Sequence, residues 1–266
     1  GTLNAEISAL LWLAIQYELS IMVAGGTASG KTSCLNALTA LIPPNQRIIT
    51  IEDIRELSLP KDLHWNWVPL AVREGRVEGA GDISMLNLMI SSLRMRPDRI
   101  IVGEVRRKEQ AQVLFEAIHT GHSVYTTLHA DDAEQTFVRL VEEPISIPKA
   151  QLEGLHLIVI MFRNRREGFR KILEVAELLP IPGDIGERDI EMRILHRYSA
   201  KRDVWESLQT SERVMNEITR HTGMSEDEIK QNLEEKQKIL EWMVKHEDKK
   251  NLMKLVNKNQ SPGALL

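Results

Sequence analysis

The fold of this 266-residue chain is decided by residues 20–32, which read S-I-M-V-A-G-G-T-A-S-G-K-T. An apolar run at 20–24 has the character of a strand, and a helix-forming run begins at Lys31. Between them, residues 25–32 match the P-loop pattern G-x-x-x-x-G-K-S/T at every fixed position. Glycines let successive backbone N–H groups point at phosphate, the lysine reaches the β and γ oxygens, and the threonine hydroxyl binds Mg²⁺. We therefore predict a nucleotide phosphate site, with Thr32 as a Mg²⁺ ligand, made of Gly25, Gly26, Thr27, Ala28, Ser29, Gly30, Lys31, Thr32 and Ser33.

Short apolar runs alternate with amphipathic stretches through the first 180 residues. This alternation is typical of βαβ units, so we predict an α/β fold with a mainly parallel sheet. The predicted strands are Ser20–Ala24, Arg47–Ile51, Arg99–Val102, Ser123–Thr127, Leu155–Phe162 and Lys171–Leu178. The predicted helices are Lys31–Leu41, Asp82–Met95, Lys108–His119 and Asp132–Glu142, with a long ordered loop or hairpin at Leu59–Asp82.

The composition changes near residue 180. A turn-rich segment at Pro180–Asp184 is followed by a predicted hairpin of Glu191–Tyr198 with Val204–Leu208. Further on, Ser225-Glu226-Asp227-Glu228 is a capping box that begins a helix. We therefore predict an α/β domain at residues 1–180, followed at 181–266 by a linker, a hairpin and a small helical appendage.

Two candidate catalytic carboxylates come directly after apolar strands. Glu104 follows residues 100–103, and Glu52 follows residues 50–51. Ligands of parallel sheets lie beyond the carboxyl ends of the strands, so both groups are expected to converge on the P-loop. One would deprotonate or orient the attacking water and the other would hold a Mg²⁺-bound water, and either assignment fits the sequence. A helix cap is the structural alternative for either residue alone.

Four arginines lie near the predicted strand that precedes Glu104. Arg94 and Arg96 end a helix, and Arg106 and Arg107 follow Glu104 directly. A planar guanidinium suits the charge of a transferring phosphoryl group, whether it acts within the chain or on a neighbouring subunit. Solvated charges or ion pairs are the alternative interpretation.

Two histidines, His122 and His129, flank the predicted strand at 123–127. They lie at opposite ends of that strand, too far apart to bind one metal ion. His129 is placed to sense a γ-phosphate, whereas His122 is equally suited to cap the preceding helix. The basic segment Arg163–Lys171 is either a solvated hairpin tip or a contact for another subunit or a membrane partner.

The composition excludes several classes of protein. A single cysteine, Cys34, excludes an intramolecular disulfide and a four-cysteine zinc site. A net charge of −4 argues against a nucleic-acid coat or a polybasic membrane binder. The longest apolar run, Leu155–Phe162, is shorter than the roughly 20 residues that span a bilayer. With no signal segment at the start, the sequence predicts a cytoplasmic protein.

Four sequence boxes resemble those of the traffic ATPases of type II and type IV secretion, type IV pilus assembly and the archaellum. They are the P-loop at 25–32, an Asp box at 49–53, a Walker B segment at 93–106 and a His box at 120–130. The resemblance covers about residues 3–180. Bacterial type II members carry a four-cysteine zinc module, so a chain with only Cys34 is more similar to the archaeal branch.

The resemblance implies a RecA-like domain of three layers, α/β/α, that hydrolyses ATP with Mg²⁺. By position, Glu52 matches the general base, and Glu104 matches the Walker B glutamate that lies nearer the metal. His122 and His129 match the His box, which implies contacts with the nucleotide.

The resemblance also implies an assembly. Arg94 and Arg106 match arginines that line the nucleotide or subunit interface of a homohexamer. The expected partners are an integral-membrane platform protein and an N-terminal domain that precedes the motor. Neither nucleic acid nor structural zinc is expected, and the expected location is cytoplasmic, peripheral at the inner face of the cell membrane.

Two other functions stay open at this stage. RecA-like rings also move nucleic acids, although the net charge and the lack of an aromatic and basic strand face argue against a translocase. A nucleotide-binding module with little turnover is the other alternative.

Overall fold

The computed structural model describes residues 1–73, 81–182 and 188–246. The strands are β1 (Ile21–Gly25), β2 (Ile48–Glu52), β3 (Trp67–Ala71), β4 (Arg99–Val102), β5 (Ser123–Leu128), β6 (Leu157–Arg163), β7 (Arg170–Pro182), β8 (Arg188–Ser199) and β9 (Val204–Ser207). The helices are α1 (Ala5–Gln16), α2 (Lys31–Thr39), α3 (Met85–Ser92), α4 (Lys108–His119), α5 (Ala133–Val141), α6 (Glu212–Thr222) and α7 (Glu226–Lys245). Short 3₁₀ helices lie at Lys61–Asn66, Leu93–Met95 and Lys149–Gly154.

The strands form one mixed sheet in the order β3-β2-β4-β5-β1-β6-β7-β8-β9. From β3 to β6 every neighbouring pair is parallel, and from β6 to β9 every pair is antiparallel. The carboxyl ends of β1, β2, β4 and β5 therefore meet at one edge of the sheet. This edge, called the carboxyl edge below, is where a parallel α/β sheet binds its ligands.

Helices cover both faces of the sheet, which confirms the predicted α/β/α fold. One core packs α1, α2, α6 and α7 against the sheet, and the other packs α3, α4 and α5 against the opposite face. The capping box begins α7 as predicted, because Ser225 caps the Glu228 amide and the Glu228 carboxylate accepts from the Ser225 amide. No helix in the described ranges is long and apolar enough to span a membrane.

The C-terminal elements pack onto the same core as the P-loop strand. Strand β7 continues through Pro182, beyond the predicted end at Leu178, and pairs with β8, so the sheet crosses the predicted boundary at residue 180. Part of the predicted turn, residues 183–187, lies outside the described residues. The division into units at 1–180 and 181–266 stays a prediction.

Helices α1 and α6 and strand β3 were not predicted from the sequence. Helix α1 has no polar face in its middle, since residues 9–15 are all buried, and so it shows no helical periodicity. Strand β3 lies within the predicted loop at 59–82 and contains Pro69, which is tolerated because β3 is the edge strand beside β2. Residues 74–80 of that predicted loop lie outside the described residues.

A fully buried arginine, Arg99, ties the start of β4 to three other parts of the chain. Its guanidinium donates to the Ile15 carbonyl at the end of α1 at 2.7 Å and to Ser123 Oγ of β5 at 2.8 Å. It also donates to Gln46 Oε1 at 2.6 Å and to the Tyr125 hydroxyl. These hydrogen bonds offset the free-energy cost of burying the guanidinium charge.

A buried lysine lies between α7 and α1. Lys236 is only 3% exposed, donates to Asn232 Oδ1 at 2.6 Å, and places its ammonium 5.0 Å from the centroid of the buried Trp12 ring. Burial lowers the pKa of Lys236 to about 8. Below that pH the folded protein therefore carries the cost of a desolvated charge.

Replacing Lys236 by methionine should stabilise the fold at pH 7 by about 3 kcal/mol, the free energy that corresponds to a pKa lowered from 10.5 to about 8. The gain should shrink as pH rises from 8 toward 10.5. In that window the unfolded state binds the proton and the folded state does not, so the stability of the wild type rises with pH.

Urea unfolding of the wild type and of Lys236→Met at pH 7 and 9.5 measures this difference. Lys230→Met, at an exposed site on the same helix, is the control. A gain that stays constant with pH would contradict the explanation.

Candidate active site

The P-loop lies at the carboxyl edge between β1 and α2. Gly30 precedes α2 with φ 100°, a conformation that favours glycine. A Cβ at Gly25 would lie 2.3 Å from the Met161 carbonyl oxygen, so the loop can pass β6 only without a side chain there. The geometry agrees with the pattern, because the loop ends at the amino end of a helix where backbone N–H groups are free for phosphate.

The P-loop lysine is folded back onto its own loop. Lys31 Nζ donates to the carbonyls of Gly25 at 2.9 Å and Gly26 at 3.1 Å, and lies 3.3 Å from His129 Nδ1. Burial lowers the pKa of Lys31, while the Glu104 and Asp131 carboxylates act in the opposite direction. The ammonium is therefore held inside the loop by two carbonyls and by the ring of His129.

A line of charged side chains continues from His129 across the carboxyl edge. His129 Nε2 lies 3.3 Å from Glu104 Oε1, and Glu104 Oε2 accepts from Arg106 Nη2 at 2.6 Å. Arg106 Nη1 in turn lies 3.3 Å from Asp53 Oδ2. The hydrogen bond with Glu104 raises the pKa of Arg106. Both oxygens of Glu104 therefore already have partners.

The second predicted carboxylate, Glu52, is held differently. It is 3% exposed, and its Oε1 accepts from the amides of Glu56 and Leu57, both at 3.0 Å. Its Oε2 is buried and makes no hydrogen bond within the described part of the chain. Gly103 lies beside it, since a Cβ there would be 3.4 Å from Glu52 Cγ. A buried carboxylate oxygen without a partner is available to accept a hydrogen bond from a ligand or a water.

Two predicted site residues lie at the opposite edge of the sheet. His122 precedes β5, and its ring hydrogen-bonds to the Ala117 carbonyl and to Thr120 Oγ1, each at 3.1 Å, in the last turn of α4. The six residues of β5 place it about 20 Å from the carboxyl edge. Arg94 is exposed in the 3₁₀ helix just before β4, also at this edge. The structure therefore places both residues away from the P-loop of their own chain, and the predicted nucleotide contact of His122 stays a prediction.

The remaining predicted residues surround the phosphate cradle. Thr27 and Ser33 are exposed, and Thr32 is half-buried in the first turn of α2. Ser29 Oγ is buried without a hydrogen-bond partner among the described residues. The structure therefore links Lys31 of the P-loop through His129 to Glu104 and Arg106, and places Glu52 at the same edge of the sheet.

Two residues near the P-loop were not predicted from the sequence as part of the site. Asp131 lies close to Gly26, where an added Cβ would be 2.9 Å from its Oδ1. Arg170 Nε donates to the Ala28 carbonyl at 3.0 Å. Asp131 follows the carboxyl end of β5, a signal that could have identified it. Arg170 had no such signal, because only the pairing of β7 with β6 places it beside the loop.

Comparison with known proteins identifies relatives. Residues 1–260 match the family described as Type II/IV secretion system protein. The chain is 38% identical to uncharacterized protein MJ1287 of Methanocaldococcus jannaschii over 92% of this chain and 89% of that protein. It is 36% identical to the type IV secretion system protein PtlH of Bordetella pertussis over 60% of this chain and 50% of PtlH.

A solved structure shows the same fold. The VirB11 ATPase of the Brucella suis type IV secretion system, crystallised with sulphate, is 34% identical, with a TM-score of 0.55 over 64% of this chain and 51% of VirB11. The chain thus spans about half the length of PtlH and VirB11. Because nearly the whole chain matches the family and the P-loop meets two carboxylates at one sheet edge, this protein belongs to the Type II/IV secretion system ATPase family.

Proposed function

We propose that this chain is the motor part of an oligomer that hydrolyses ATP to power protein secretion or the assembly of a pilus-like or archaellum-like filament. The observation that carries the proposal is Oε2 of Glu52, which is buried at the same edge as Lys31 and Glu104 and has no hydrogen-bond partner among the residues that the structure describes. A carboxylate in this position can accept a proton from water that attacks a γ-phosphate held in the P-loop.

Each charged residue at the carboxyl edge has its own role in the proposed hydrolysis. Glu52 is the general base, because its Oε1 is fixed by two backbone amides and its Oε2 is free to accept a proton. Glu104 orients water rather than removing its proton, since both its oxygens are engaged by His129 and Arg106. When nucleotide binds, the Lys31 ammonium leaves the loop carbonyls and donates to phosphate oxygens. His129 responds to this change because its Nδ1 contacts the same ammonium.

The donor set fits Mg²⁺ bound together with a nucleotide. The described residues contain no group of three or more His, Cys, Asp or Glu side chains that could hold a metal alone. Mg²⁺ in nucleotide sites takes one or two protein ligands and completes its shell with phosphate and water. Thr32 would bind it directly and Glu104 through water. When bound, Mg²⁺ supplies charge neutralisation on the phosphate oxygens.

The position of Arg94 and His122 supports an oligomer. Both lie at the edge opposite to the P-loop, so they can meet a nucleotide only if it is bound by another subunit. We propose a homohexamer that works at the inner face of the cell membrane with a platform protein and an N-terminal domain. The cargo or filament would be determined by those partners.

The proposal is tested by phosphate release from ATP, with Mg²⁺ or with EDTA, over a wide range of protein concentration. We expect Mg²⁺-dependent hydrolysis whose specific activity rises with concentration as subunits associate. A version of the chain joined to the proposed N-terminal domain should hydrolyse ATP faster. Nucleotide binding without hydrolysis in both versions would instead support the low-turnover module. Salt-sensitive stimulation by DNA would support the translocase.

A further inference from the structure

The P-loop is hydrogen-bonded at Ala28 to β7, a strand of the C-terminal hairpins. Arg170, the first residue of β7, donates its Nε–H to the Ala28 carbonyl at 3.0 Å. Ala28 has φ 59°, a strained value for a residue with a side chain. Arg170 Cδ also lies 3.1 Å from the position of a Cβ on Gly30. Arg170 therefore touches the loop at the residues with unusual backbone conformations.

The next residue, Lys171, is enclosed by a cluster that we call the lysine box. Its ammonium lies over three aromatic rings, with centroids at 5.4, 4.6 and 5.2 Å, and it donates to Asp203. The Tyr198 hydroxyl donates to the same carboxylate at 2.7 Å. The members of the lysine box are Phe169, Lys171, Tyr198, Asp203 and Trp205.

The lysine box fixes the backbone from which Arg170 extends. Trp205 Nε1 donates to the Ile172 carbonyl at 2.7 Å, so β9 also holds the strand on the other side of Lys171. Lys171 itself is only 9% exposed. Cation–π contacts of a buried ammonium are stronger than those at exposed sites. A shift at β7 would thus break several contacts and move Arg170 away from the loop.

We propose that Arg170 is a positioning residue for nucleotide binding, and that the lysine box holds it in place. The hydrogen bond to Ala28 keeps the P-loop in the conformation in which the backbone N–H groups of the loop point at phosphate. This inference rests on the proposed function, because it concerns the same nucleotide. It means that nucleotide affinity depends on the β8–β9 hairpin, which lies beyond β6 and β7 from the P-loop strand β1.

Arg170→Leu should weaken ADP binding about 10-fold, the effect of losing one charge-assisted hydrogen bond. Arg170→Gln should recover most of the affinity, since its amide nitrogen lies as many bonds from the backbone as arginine Nε and can donate to the same carbonyl. Arg166→Leu, at the exposed tip of the same hairpin, removes one positive charge and should leave the affinity unchanged.

The measurements are the Kd of a fluorescent ADP analogue and the KM and kcat for ATP. We expect KM to rise with little change in kcat for Arg170→Leu, whereas general damage to the fold would lower both kcat and the melting temperature. Equal weakening by the leucine and glutamine variants would overturn the hydrogen-bond role. Wild-type affinity in Arg170→Leu would overturn the inference altogether.

The lysine box is tested by combining variants. Lys171→Met should weaken ADP binding severalfold in the wild type but have no further effect in Arg170→Leu, because both act through one contact. Tyr198→Phe, which keeps the ring, is the milder variant if Lys171→Met does not fold. Equal effects in both backgrounds would overturn the role of the box. If the wild type binds no nucleotide, the proposed function fails. If the wild type binds nucleotide and the variants bind it equally well, only this inference fails.

Discussion

Lys31→Met is expected to reduce ATP hydrolysis by at least about 10²-fold, the usual effect of removing a donor aimed at charge that develops in the transition state. Methionine matches the length and volume of lysine, so the buried space beside Gly25 and His129 stays filled. The variant removes only the ammonium, so two hydrogen bonds to loop carbonyls are lost together with the cost of burying the charge, and the two effects offset each other. The melting temperature in the absence of nucleotide should therefore stay close to that of the wild type.

The comparison needs nucleotide binding and hydrolysis measured on the same preparations. We expect Lys31→Met to lose the increase in melting temperature that ADP gives the wild type, because a ligand stabilises only the state it binds. Lys238→Met, at an exposed site on α7, is the matched control and should behave like wild type. Hydrolysis at the wild-type rate in Lys31→Met would refute the proposed mechanism.

Glu52→Gln should lower kcat by about 10³-fold while ATP still binds, since general-base catalysis contributes an effect of this order. The glutamine oxygen can keep the two hydrogen bonds from Glu56 and Leu57, so the loop after β2 should keep its shape. The amide placed at Oε2 cannot accept a proton from water. Retained affinity with lost turnover is therefore the expected signature.

Glu104→Gln is the control that separates the two carboxylates. Its side chain is held by His129 and Arg106, so its loss should disturb their positions and affect both KM and kcat. The fall in kcat should be smaller than for Glu52→Gln. Measuring kcat and KM of both variants at saturating Mg²⁺ decides the assignment. If Glu104→Gln retains affinity and loses more turnover than Glu52→Gln, the base is Glu104.

The parts of the site that are local in sequence were predictable. The P-loop, the strand before it and the helix after it follow from the chemistry of glycine, lysine and threonine, and Lys108–His119 is helical with the predicted bounds. Glu52 and Glu104 were predicted as site residues because Glu52 ends an apolar strand and Glu104 lies two residues beyond the end of another. Parallel pairing then places both at one edge.

The parts that depend on tertiary contacts were not predictable. Helix α1 is buried on all sides in its middle, so its sequence carries no helical period. His122 matches a box of the related ATPases, yet its place at the amino end of β5 separates it from the P-loop of its own chain. Arg170 lies about 140 residues from the loop it contacts, a pairing that only the sheet order creates.

The buried guanidinium of Arg99 has a consequence for the order in which the chain folds. Its partners begin with the Ile15 carbonyl in α1 and end with Tyr125 in β5. A ribosome must therefore release the chain through β4 before Arg99 can bond to the end of the first helix, and through β5 before all the partners of Arg99 are in place. Until then α1, with its apolar surface uncovered, is a segment that a chaperone would bind. The first helix to be synthesised is thus expected to be among the last to dock, a sequence of events that pulse-labelled hydrogen exchange would reveal.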